Sequence, residues 1–506
     1  MSHTLLQDAL FNAKTVRELD RLAIENTGIS SFDLMQKAGA VAFVELIETF
    51  GEPSFLHVFC GGGNNGGDGY IVAALAAASN ISVTIYEVGN TTAISGDAEL
   101  AKQLCVEANI NMQEPSVDCD LSQGVIVDSL LGTGFGGPLR GNFALAIEVI
   151  NSSFLPVLSI DVPSGLSSDT GAVEDIAVKA DLTVTFIGAK QGLFTGRGPA
   201  LCGEIIYDSL DIPEAVLQKM SPSAELMDLS ELVEYIPELD ADVHKNQRGH
   251  CMVIGGDLSF GGAAIMAAEA SLKTGSGLTS LVTRPEHVAA SLARQPEIMA
   301  CAVASGQQLE PLLDRPNVLV IGPGLGRSSW SEQLMQKAMA TDLPMVVDAD
   351  GLNIISEGRV VSNIQNRSWI MTPHPGEAAR LLGISVGDVE ADRFEAVRRL
   401  QEKYNAVIIL KGAGTLVSAQ AGEPIKVCPY GNPGMATGGM GDILSGVIGS
   451  LIAQGMDLQT SAELGCCLHS AAADMAVQDR GYKGLVATDI LPYLTEAMNQ
   501  WDQELS

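Results

Sequence analysis

A glycine-rich segment near the C-terminus combines an anion-binding backbone with a carboxylate. Residues 432–442 read NPGMATGGMGD and lead directly into the apolar helical pattern of residues 443–452. Glycines let backbone N–H groups approach a ligand closely, and the first turn of the following helix adds unpaired donors and the positive end of its dipole. Phosphate is the ligand that suits such a site. The carboxylate, Asp442, predicts an acid or base that acts on a hydroxyl beside the phosphate, although a helix cap would explain the same residue.

Three more segments of the C-terminal half follow strand patterns and offer contacts to a phosphate-bearing ligand. IGPGLG at 321–326 gives a close backbone approach, and KGAGT at 411–415 can hold nucleotide phosphates through backbone, hydroxyl and ammonium groups. TPHPGE at 372–377 places His374 between two prolines directly after a strand, which favours a ring that points into a crevice. A histidine satisfied within its own loop would have the same sequence around it.

Three loops of the N-terminal half follow strand patterns and carry short polar side chains. They are CGGGNNGGDG at 60–69, VDSLLGTGFGGPL at 127–139 and IDVPSGL at 160–166. The first loop lacks the GxGxxG spacing, which argues against an ordinary dinucleotide fingerprint. Because the carboxyl ends of parallel strands meet at one edge of a sheet, we expect the three loops to converge on one crevice.

The oxygen donors of these loops suggest a cation site. Asn65, Asp128 and Ser164 supply hard oxygen ligands with one full negative charge among them. Such a set suits a monovalent cation better than zinc or calcium. Each residue taken alone is also explained by the cap and turn chemistry that Asn, Asp and Ser perform after strands.

The composition narrows the class of protein. The 506 residues are 46% hydrophobic and include 54 glycines, which indicates two or three α/β domains. The formal net charge of -32 argues against nucleic acid as a partner, so any phosphate must be held locally. The nine cysteines form no CxxC pair, which favours free thiols in a reducing cytoplasm. The sequence also shows no signal-peptide pattern and no apolar run of membrane length, and we expect a cytoplasmic protein.

Alternating strand and helix patterns position these loops. From residue 55 onward strand patterns alternate with helical ones, and a second alternating series begins after His244. This order predicts parallel sheets with helices on both faces and ligands at the carboxyl ends of the strands. We therefore expect an α/β protein with two doubly wound domains. Their predicted limits are 1–215 and 244–506, joined by an acidic connector at 216–243.

The N-terminal motifs resemble those of the NAD(P)H-hydrate epimerase domain. LMQKAG, GNNGGDG, DSLLGTGFGG and DVPSGL occur in the order of that family and cover nearly the whole first domain. The resemblance implies a Rossmann-like domain with K⁺ held by Asn65, Asp128 and Ser164, and with Asp161 as the catalytic acid or base. The implied substrate contacts are Asn64, Asn65, Gly66, Gly67, Asp68, Gly132, Thr133, Gly134, Phe135, Gly136, Gly137, Pro138 and Asp161.

The C-terminal motifs resemble the ribokinase-like fold, and within it the ADP- or ATP-dependent NAD(P)H-hydrate dehydratases. The match runs from HKNQRGHCMVIGGD through GPGLG, TPHPGE and KGAGT to NPGMATGGMGD, and only the entry turn HKNQRG departs from the family pattern. The resemblance implies Asp442 as the catalytic base, with Mg²⁺ and ADP as cofactors. The implied substrate contacts are Ala264, Gly324, Gly326, His374 and Asp442. The implied nucleotide contacts are Lys411, Gly412, Ala413, Gly414, Thr415, Asn432, Gly438, Gly439, Met440 and Gly441.

Together the two resemblances imply a bifunctional repair enzyme. It would interconvert the R and S forms of hydrated NADH and NADPH, and it would dehydrate the S form to NAD(P)H while ADP becomes AMP and phosphate. ADP is expected because the fused arrangement resembles the prokaryotic form of the family, and homo-oligomers are a family expectation. Two alternatives stay open: a ribokinase-like small-molecule kinase, which would share the glycine-rich segment and Asp442, and an N-terminal domain that serves only as a binding scaffold.

Overall fold

The computed structural model describes residues 8–90, 94–358, 360 and 368–504. The chain divides into two compact units, Met1–Glu225 and Leu226–Ser506. In the part of the chain that the structure describes, no helix combines the length and the apolar character that crossing a membrane requires. The predicted domain limits stay predictions. The stretch between them holds short elements of its own, with a strand at Ala224–Leu226 and helical turns at Leu229–Leu232 and Val233–Tyr235.

A parallel sheet forms the centre of the first unit. The strands between residues 8 and 226 are β1 (Ala9–Phe11), β2 (Phe55–Cys60), β3 (Ser82–Glu87), β4 (Asn111–Gln113), β5 (Val125–Ser129), β6 (Val157–Ile160), β7 (Leu182–Phe186), β8 (Ala189–Lys190), β9 (Glu204–Asp208) and β10 (Ala224–Leu226). Within the described residues, seven of them run in the order β4-β3-β2-β5-β6-β7-β9 with every neighbouring pair parallel. Outside this sheet, β1 pairs with β8 and β10.

Helices cover both faces of this sheet. They are Ala13–Thr27, Ser31–Phe50, Asn64–Ala78, Asp97–Glu107, Phe143–Ser152, Gly198–Leu201 and Glu214–Leu217, with a 3₁₀ turn at Gln191–Phe194. Val58 of β2 packs in the core that contains Ser31–Phe50 and Asn64–Ala78, whereas its neighbour Phe59 packs in the core that contains Phe143–Ser152. Successive strand residues thus fill two cores, as the predicted doubly wound architecture requires.

The strand order sets the position of a ligand crevice in the first unit. The chain leaves β2 for β3 and β4 and then returns to β5, which lies on the other side of β2. The loops that follow β2 and β5 therefore face each other. Open α/β sheets bind their ligands at such a switch point.

The second unit is built on its own parallel sheet. Its strands are β11 (His250–Ile254), β12 (Leu278–Thr283), β13 (Met299–Ala302), β14 (Val318–Ile321), β15 (Met345–Val347), β16 (Trp369–Met371), β17 (Val407–Leu410), β18 (Leu416–Ser418) and β19 (Ile425–Val427). They run in the order β13-β12-β11-β14-β15-β16-β17-β18-β19, with β18 and β19 antiparallel at one end. The switch point lies between β11 and β14.

One helix of the second unit, Met440–Ala453, is buried along almost its whole length. The other helices are Gly261–Lys273, Pro285–Arg294, Gly306–Leu309, Ser329–Ala338, Ala349–Glu357, Pro375–Leu382, Val386–Ala391, Arg393–Tyr404, Leu458–Arg480 and Leu491–Glu504, with 3₁₀ turns at Glu310–Leu312, Pro433–Met435 and Ala487–Ile490. A Cβ on Gly446 would lie 2.0 Å from the Ala267 carbonyl oxygen. This close approach fixes Met440–Ala453, and with it the glycine-rich segment at its start, against Gly261–Lys273.

Candidate active sites

Asp128 closes β5 and is the centre of a dense hydrogen-bond cluster. Its side chain is fully buried. Ser164 donates to it through both its hydroxyl (2.6 Å) and its backbone N–H (2.9 Å), and the Ser159 hydroxyl donates at 2.8 Å. Burial raises the pKa of Asp128, and the bonds from Ser164, Ser159 and the Leu130 N–H oppose that shift. The carboxylate is thus fixed in place before any ligand binds.

Asn65 lies beside this cluster with an unsatisfied side chain. Both its Oδ1 and its Nδ2 are buried and have no hydrogen-bond partner among the described residues. Its neighbour Gly132 follows Leu131, whose N–H donates to the Ser164 hydroxyl at 2.9 Å. A buried unpaired amide oxygen beside one carboxylate and one hydroxyl is a donor set that fits a monovalent cation.

A cavity of about 690 Å³ opens in the first unit at the switch point. It is lined by most of the residues predicted to contact substrate there: Asn64, Asn65, Asp68, Gly132, Thr133, Gly134, Phe135, Gly136, Pro138 and Asp161. Three predicted residues are not in its lining. Gly66 and Gly67 pack inward, where a Cβ would lie 2.0 Å from the Gly61 carbonyl oxygen and 2.6 Å from the Met35 side chain respectively. Gly137 lies in the loop beside the lining and has a φ of 89°.

Asp161 sits in a strained conformation at the end of β6, with a φ of 68°. Lys190, whose side chain is 1% exposed, donates to its carboxylate, and the Thr185 hydroxyl does so at 3.3 Å. Backbone strain of this kind persists where the surroundings hold a residue in place for a reason. Asp161 therefore presents an oriented carboxylate to the cavity.

Five charged residues of this cavity were not predicted from the sequence: Arg17, Asp20, Asp97, Arg140 and Lys190. Burial raises the pKa of Asp20 to about 6 and that of Asp68 well above its usual range, and Asp161 adds to both shifts. The available signal for Lys190 was a lysine at the end of β8, directly after an apolar stretch. Asp20 lies on the helix Ala13–Thr27, where acidic residues are common, so its sequence carried no signal.

The second site is built around Lys411, the residue that follows β17. Its ammonium donates to Asp348, at 2.7 Å from Oδ1, and lies 4.0 Å from Glu377 Oε2. The Ser445 hydroxyl donates to the other oxygen of Asp348 at 2.8 Å. Burial raises the pKa of Asp348, but Lys411, Thr372 and Ser445 outweigh burial and hold that pKa below its usual range. Asp348 is therefore an ionised carboxylate that forms an ion pair with Lys411.

Asp442 faces this ion pair and has no ion-pair partner of its own among the described residues. Burial raises its pKa to about 7, Asp348 adds to the shift, and Lys411 opposes it. Burial likewise raises the pKa of Glu377 to about 7. Asp442 therefore binds and releases a proton near neutral pH, which is the property of a general base or acid.

The glycine-rich segment lies directly against Lys411. A Cβ on Gly441 would be 3.1 Å from Lys411 Nζ, and Gly439 begins the helix with a φ of 100°. At the start of the segment, Asn432 donates from its Nδ2 to Asp474 at 2.7 Å. Gly438 is exposed and its Cβ position is open. The structure thus brings the predicted anion site, the lysine and Asp442 together.

A buried guanidinium supports the loop that begins at Lys411. Arg393 is 1% exposed and donates to the carbonyl oxygens of Leu410 (3.2 Å) and Lys411 (3.3 Å). Gly412 has a φ of 148° and leaves no room for a Cβ beside Arg393. The Thr415 hydroxyl donates to the Gly412 carbonyl at 3.0 Å, so Gly412, Ala413, Gly414 and Thr415 form a closed turn.

The remaining predicted substrate contacts occupy different surroundings. His374 is half exposed and accepts from the Gly376 N–H at 3.0 Å, so its ring caps the helix Pro375–Leu382. Ala264 is fully buried and offers no surface to a ligand. Gly324 and Gly326 have positive φ angles at the switch point, and the Gly326 N–H donates to Asp350 at 2.9 Å.

Both halves of the chain match known protein families. Residues 251–496 match the family model described as NAD(P)H-hydrate dehydratase, and residues 31–192 match the model described as YjeF-related protein N-terminus. A bifunctional NAD(P)H-hydrate repair enzyme of Coxiella burnetii is 46% identical over 97% of this chain and 99% of that protein. One from Vibrio cholerae is 39% identical over 97% of this chain and 98% of that protein.

The chain belongs to the family of bifunctional NAD(P)H-hydrate repair enzymes. Among solved structures, a ribokinase-like superfamily protein from Enterococcus faecalis covers 55% of this chain and 95% of its own length, with 27% identity and a TM-score of 0.50. The predicted family and the predicted fold class are confirmed. In this repair enzyme the first unit carries the epimerase-type domain and the second the dehydratase.

Two carboxylates of the dehydratase site should affect stability in opposite directions. Asp442→Asn should raise the free energy of unfolding at pH 8 by on the order of 1–3 kcal/mol, because a buried charge without a partner is removed. The folded pKa of about 7 exceeds the ordinary aspartate pKa of 3.8, so the cost of this charge grows as pH rises above about 4 and is complete above about 7. Urea unfolding between pH 4 and pH 8 measures the effect.

Asp348→Asn is the matched control for this experiment. Its folded pKa is lowered, so its carboxylate contributes stability above pH 4, and the variant should lose about 3 kcal/mol at pH 8 because Lys411 is stranded. Equal losses in both variants, or a gain for Asp442→Asn that does not change with pH, would contradict this description of the site.

Proposed function

We propose that this chain repairs hydrated NADH and NADPH through two consecutive activities. The first unit interconverts the R and S forms of the hydrate. The second unit dehydrates the S form to NAD(P)H and consumes ADP, which becomes AMP and phosphate. The observation that carries the proposal is Asp442, an unpaired carboxylate with a pKa of about 7 beside Lys411 and Gly441 at a helix N-terminus.

Dehydration begins with the hydroxyl at C6 of the hydrated nicotinamide, because hydroxide is a poor leaving group. Asp442 takes the hydroxyl proton, and the oxygen attacks the terminal phosphorus of ADP as the bond from that phosphorus to the bridging oxygen breaks and AMP leaves. Lys411 and the N–H groups of the glycine-rich segment stabilise the charge of the transferring phosphoryl group. The C6–O bond then breaks with its electron pair on phosphate, C5 loses a proton, and the C5=C6 double bond is restored.

Mg²⁺ fits this site as a companion of the nucleotide. Among the described residues there is no group of three or more His, Cys, Asp or Glu side chains that could hold a metal ion. Mg²⁺ usually keeps several waters and binds through substrate phosphates and one or two carboxylates, so the nucleotide phosphates and Glu377 would hold it while Asp442 stays available as the base. When bound, the ion neutralises phosphate charge.

Epimerisation uses the cavity of the first unit. Asp161, oriented by Lys190, is the acid or base for the C6 hydroxyl: as the hydroxyl loses its proton the N1–C6 bond breaks to give an open aldehyde, and the bond forms again on the other face as the proton returns to oxygen. Asn65, Asp128 and Ser164 would hold K⁺, and the unpaired Asn65 amide supports this assignment. When bound, K⁺ supplies a positive charge to the oxygen atoms of the substrate.

The nucleotide test compares ADP with ATP on the purified S hydrate of NADH. We expect faster recovery of the reduced nicotinamide absorbance with ADP, and one AMP and one phosphate for each NADH restored. A terminal phosphate held between Lys411 and Gly441 must also leave room for the substrate hydroxyl. The longer triphosphate of ATP would misplace this hydroxyl, and such a misplacement can cost about a hundredfold in rate. Faster turnover with ATP would overturn the ADP assignment, and no recovery with either nucleotide would overturn the dehydratase.

The potassium test uses Asp128→Ala. Epimerisation of the R hydrate should lose its dependence on K⁺ and fall at least about a hundredfold, because the only charged ligand of the proposed site is gone. Dehydration of the S hydrate by the same preparation should be unchanged because that site belongs to the second unit, and a wild-type circular dichroism spectrum verifies that the first unit is folded. Ser153→Ala, which removes another buried unpaired oxygen of the first unit, is the matched control. Epimerisation at the normal rate without K⁺ would contradict the assignment.

A further inference from the structure

The long helix Leu458–Arg480 carries an imidazole whose environment is unusual. His469 is 5% exposed, and its Nε2 is buried without a hydrogen-bond partner among the described residues. A buried polar atom without a hydrogen bond destabilises the folded state. A leucine would fill similar space without that cost. The histidine must therefore contribute something that an apolar side chain cannot.

The contribution lies in its other nitrogen. His469 makes a hydrogen bond to the backbone of Met440, and because Nε2 has no partner, the bonded nitrogen is Nδ1. A nitrogen that bonds a carbonyl carries the proton, so the ring is the Nδ1–H tautomer. Met440 is the first residue of the helix Met440–Ala453 and lies between Gly439 and Gly441. The imidazole thus holds the backbone at the centre of the phosphate site.

The ring performs this task without adding charge to the site. Burial lowers the pKa of His469 to about 4, the bond to Met440 opposes that shift, and the nearby Lys411 adds to it. The imidazole is therefore neutral wherever the enzyme works. A cationic side chain at the same place would repel Lys411 and would favour the ionised form of Asp442.

The same helix also holds the beginning of the glycine-rich segment. Asp474 accepts from the Gly431 N–H at 2.8 Å and from Asn432 Nδ2 at 2.7 Å. On the opposite side of the segment, a Cβ on Gly439 would lie 2.8 Å from the Met266 side chain. The segment is consequently fixed at its start by Asp474, at its end by His469, and by packing against Met266.

We propose that His469 is a positioning residue for dehydration: its Nδ1–H holds the Met440 carbonyl so that the N–H groups of Gly439 to Gly441 stay directed at the transferring phosphoryl group. The inference rests on the proposed function of the second unit. Hydrogen-bond donors that stabilise a transition state act through fixed direction, so loosening the segment should lower kcat more than it weakens nucleotide binding.

The test compares two polar replacements of similar shape. In His469→Asn the amide nitrogen lies where Nδ1 was and can still donate to Met440, whereas His469→Gln carries its amide at the distance of Nε2. We expect His469→Asn to keep most of the dehydration kcat and His469→Gln to lose about tenfold or more, with the nucleotide KM of both changed less than about threefold. His469→Leu, which lacks a donor, should lose kcat as His469→Gln does without a loss of thermal stability.

Two controls separate positioning from general damage. Ser461→Ala removes another buried unpaired polar atom from the same helix and should leave kcat unchanged. Epimerisation by each variant should also stay at the wild-type rate, because that site belongs to the first unit.

Equal kcat in His469→Asn and His469→Gln would overturn the inference, whether both are active or both inactive. If His469→Leu fails to fold, the comparison of the two amides still decides. Absence of dehydration in the wild type would instead refute the proposed function on which the inference rests.

Discussion

One lysine of the second unit faces two buried carboxylates and a third that is partly buried, and the chemistry of that unit depends on how the charge of the lysine is shared. Lys411 bonds Asp348 at 2.7 Å, so Asp348 is ionised and the lysine is largely occupied. Glu377 and Asp442 are then left with incomplete neutralisation, and burial raises the pKa of each to about 7. A base that titrates near neutral pH follows from this imbalance of charge. Asp348 and Lys411 follow the ends of β15 and β17, and Asp442 lies in the first turn of the buried helix Met440–Ala453.

The first unit differs: at its proposed cation site the carboxylate is fully hydrogen-bonded, but a neighbouring amide has no hydrogen bond among the described residues. Asp128 is saturated by hydrogen bonds from Ser159 and Ser164, whereas the Asn65 amide beside it has none. Asp161 is held by Lys190 in a strained conformation. Charge in this site is therefore fixed in position, and a bound cation would complete the coordination of the neutral oxygens. The first unit places its site where its strand order reverses, as open α/β folds do, whereas the second unit builds its site around residues that follow β15 and β17.

The sequence alone was sufficient to predict the features that depend on residues close together in the chain. Glycines before a helix, polar residues after strands, and the alternation of strands and helices are local patterns, and they led to the fold class and to most of the cavity lining. Contacts between distant residues were not accessible in this way. Asp348 and Lys411 are 63 residues apart, and the sequence around Asp348 does not indicate a lysine partner. The motif TPHPGE suggested His374 as a site residue, whereas the buried residue of that motif with a pKa of about 7 is Glu377.

The strongest test of the account is the pH dependence of kcat/KM for dehydration of the S hydrate at saturating ADP. If Asp442 must be ionised to accept the hydroxyl proton, kcat/KM should fall on the acid side with an apparent pKa near 7. Because Glu377 titrates in the same range, Glu377→Gln should be measured in parallel, and the acid limb should persist in it. A profile that is flat from pH 5 to pH 9, or an acid limb that disappears with Glu377, would contradict the assignment of Asp442 as the base.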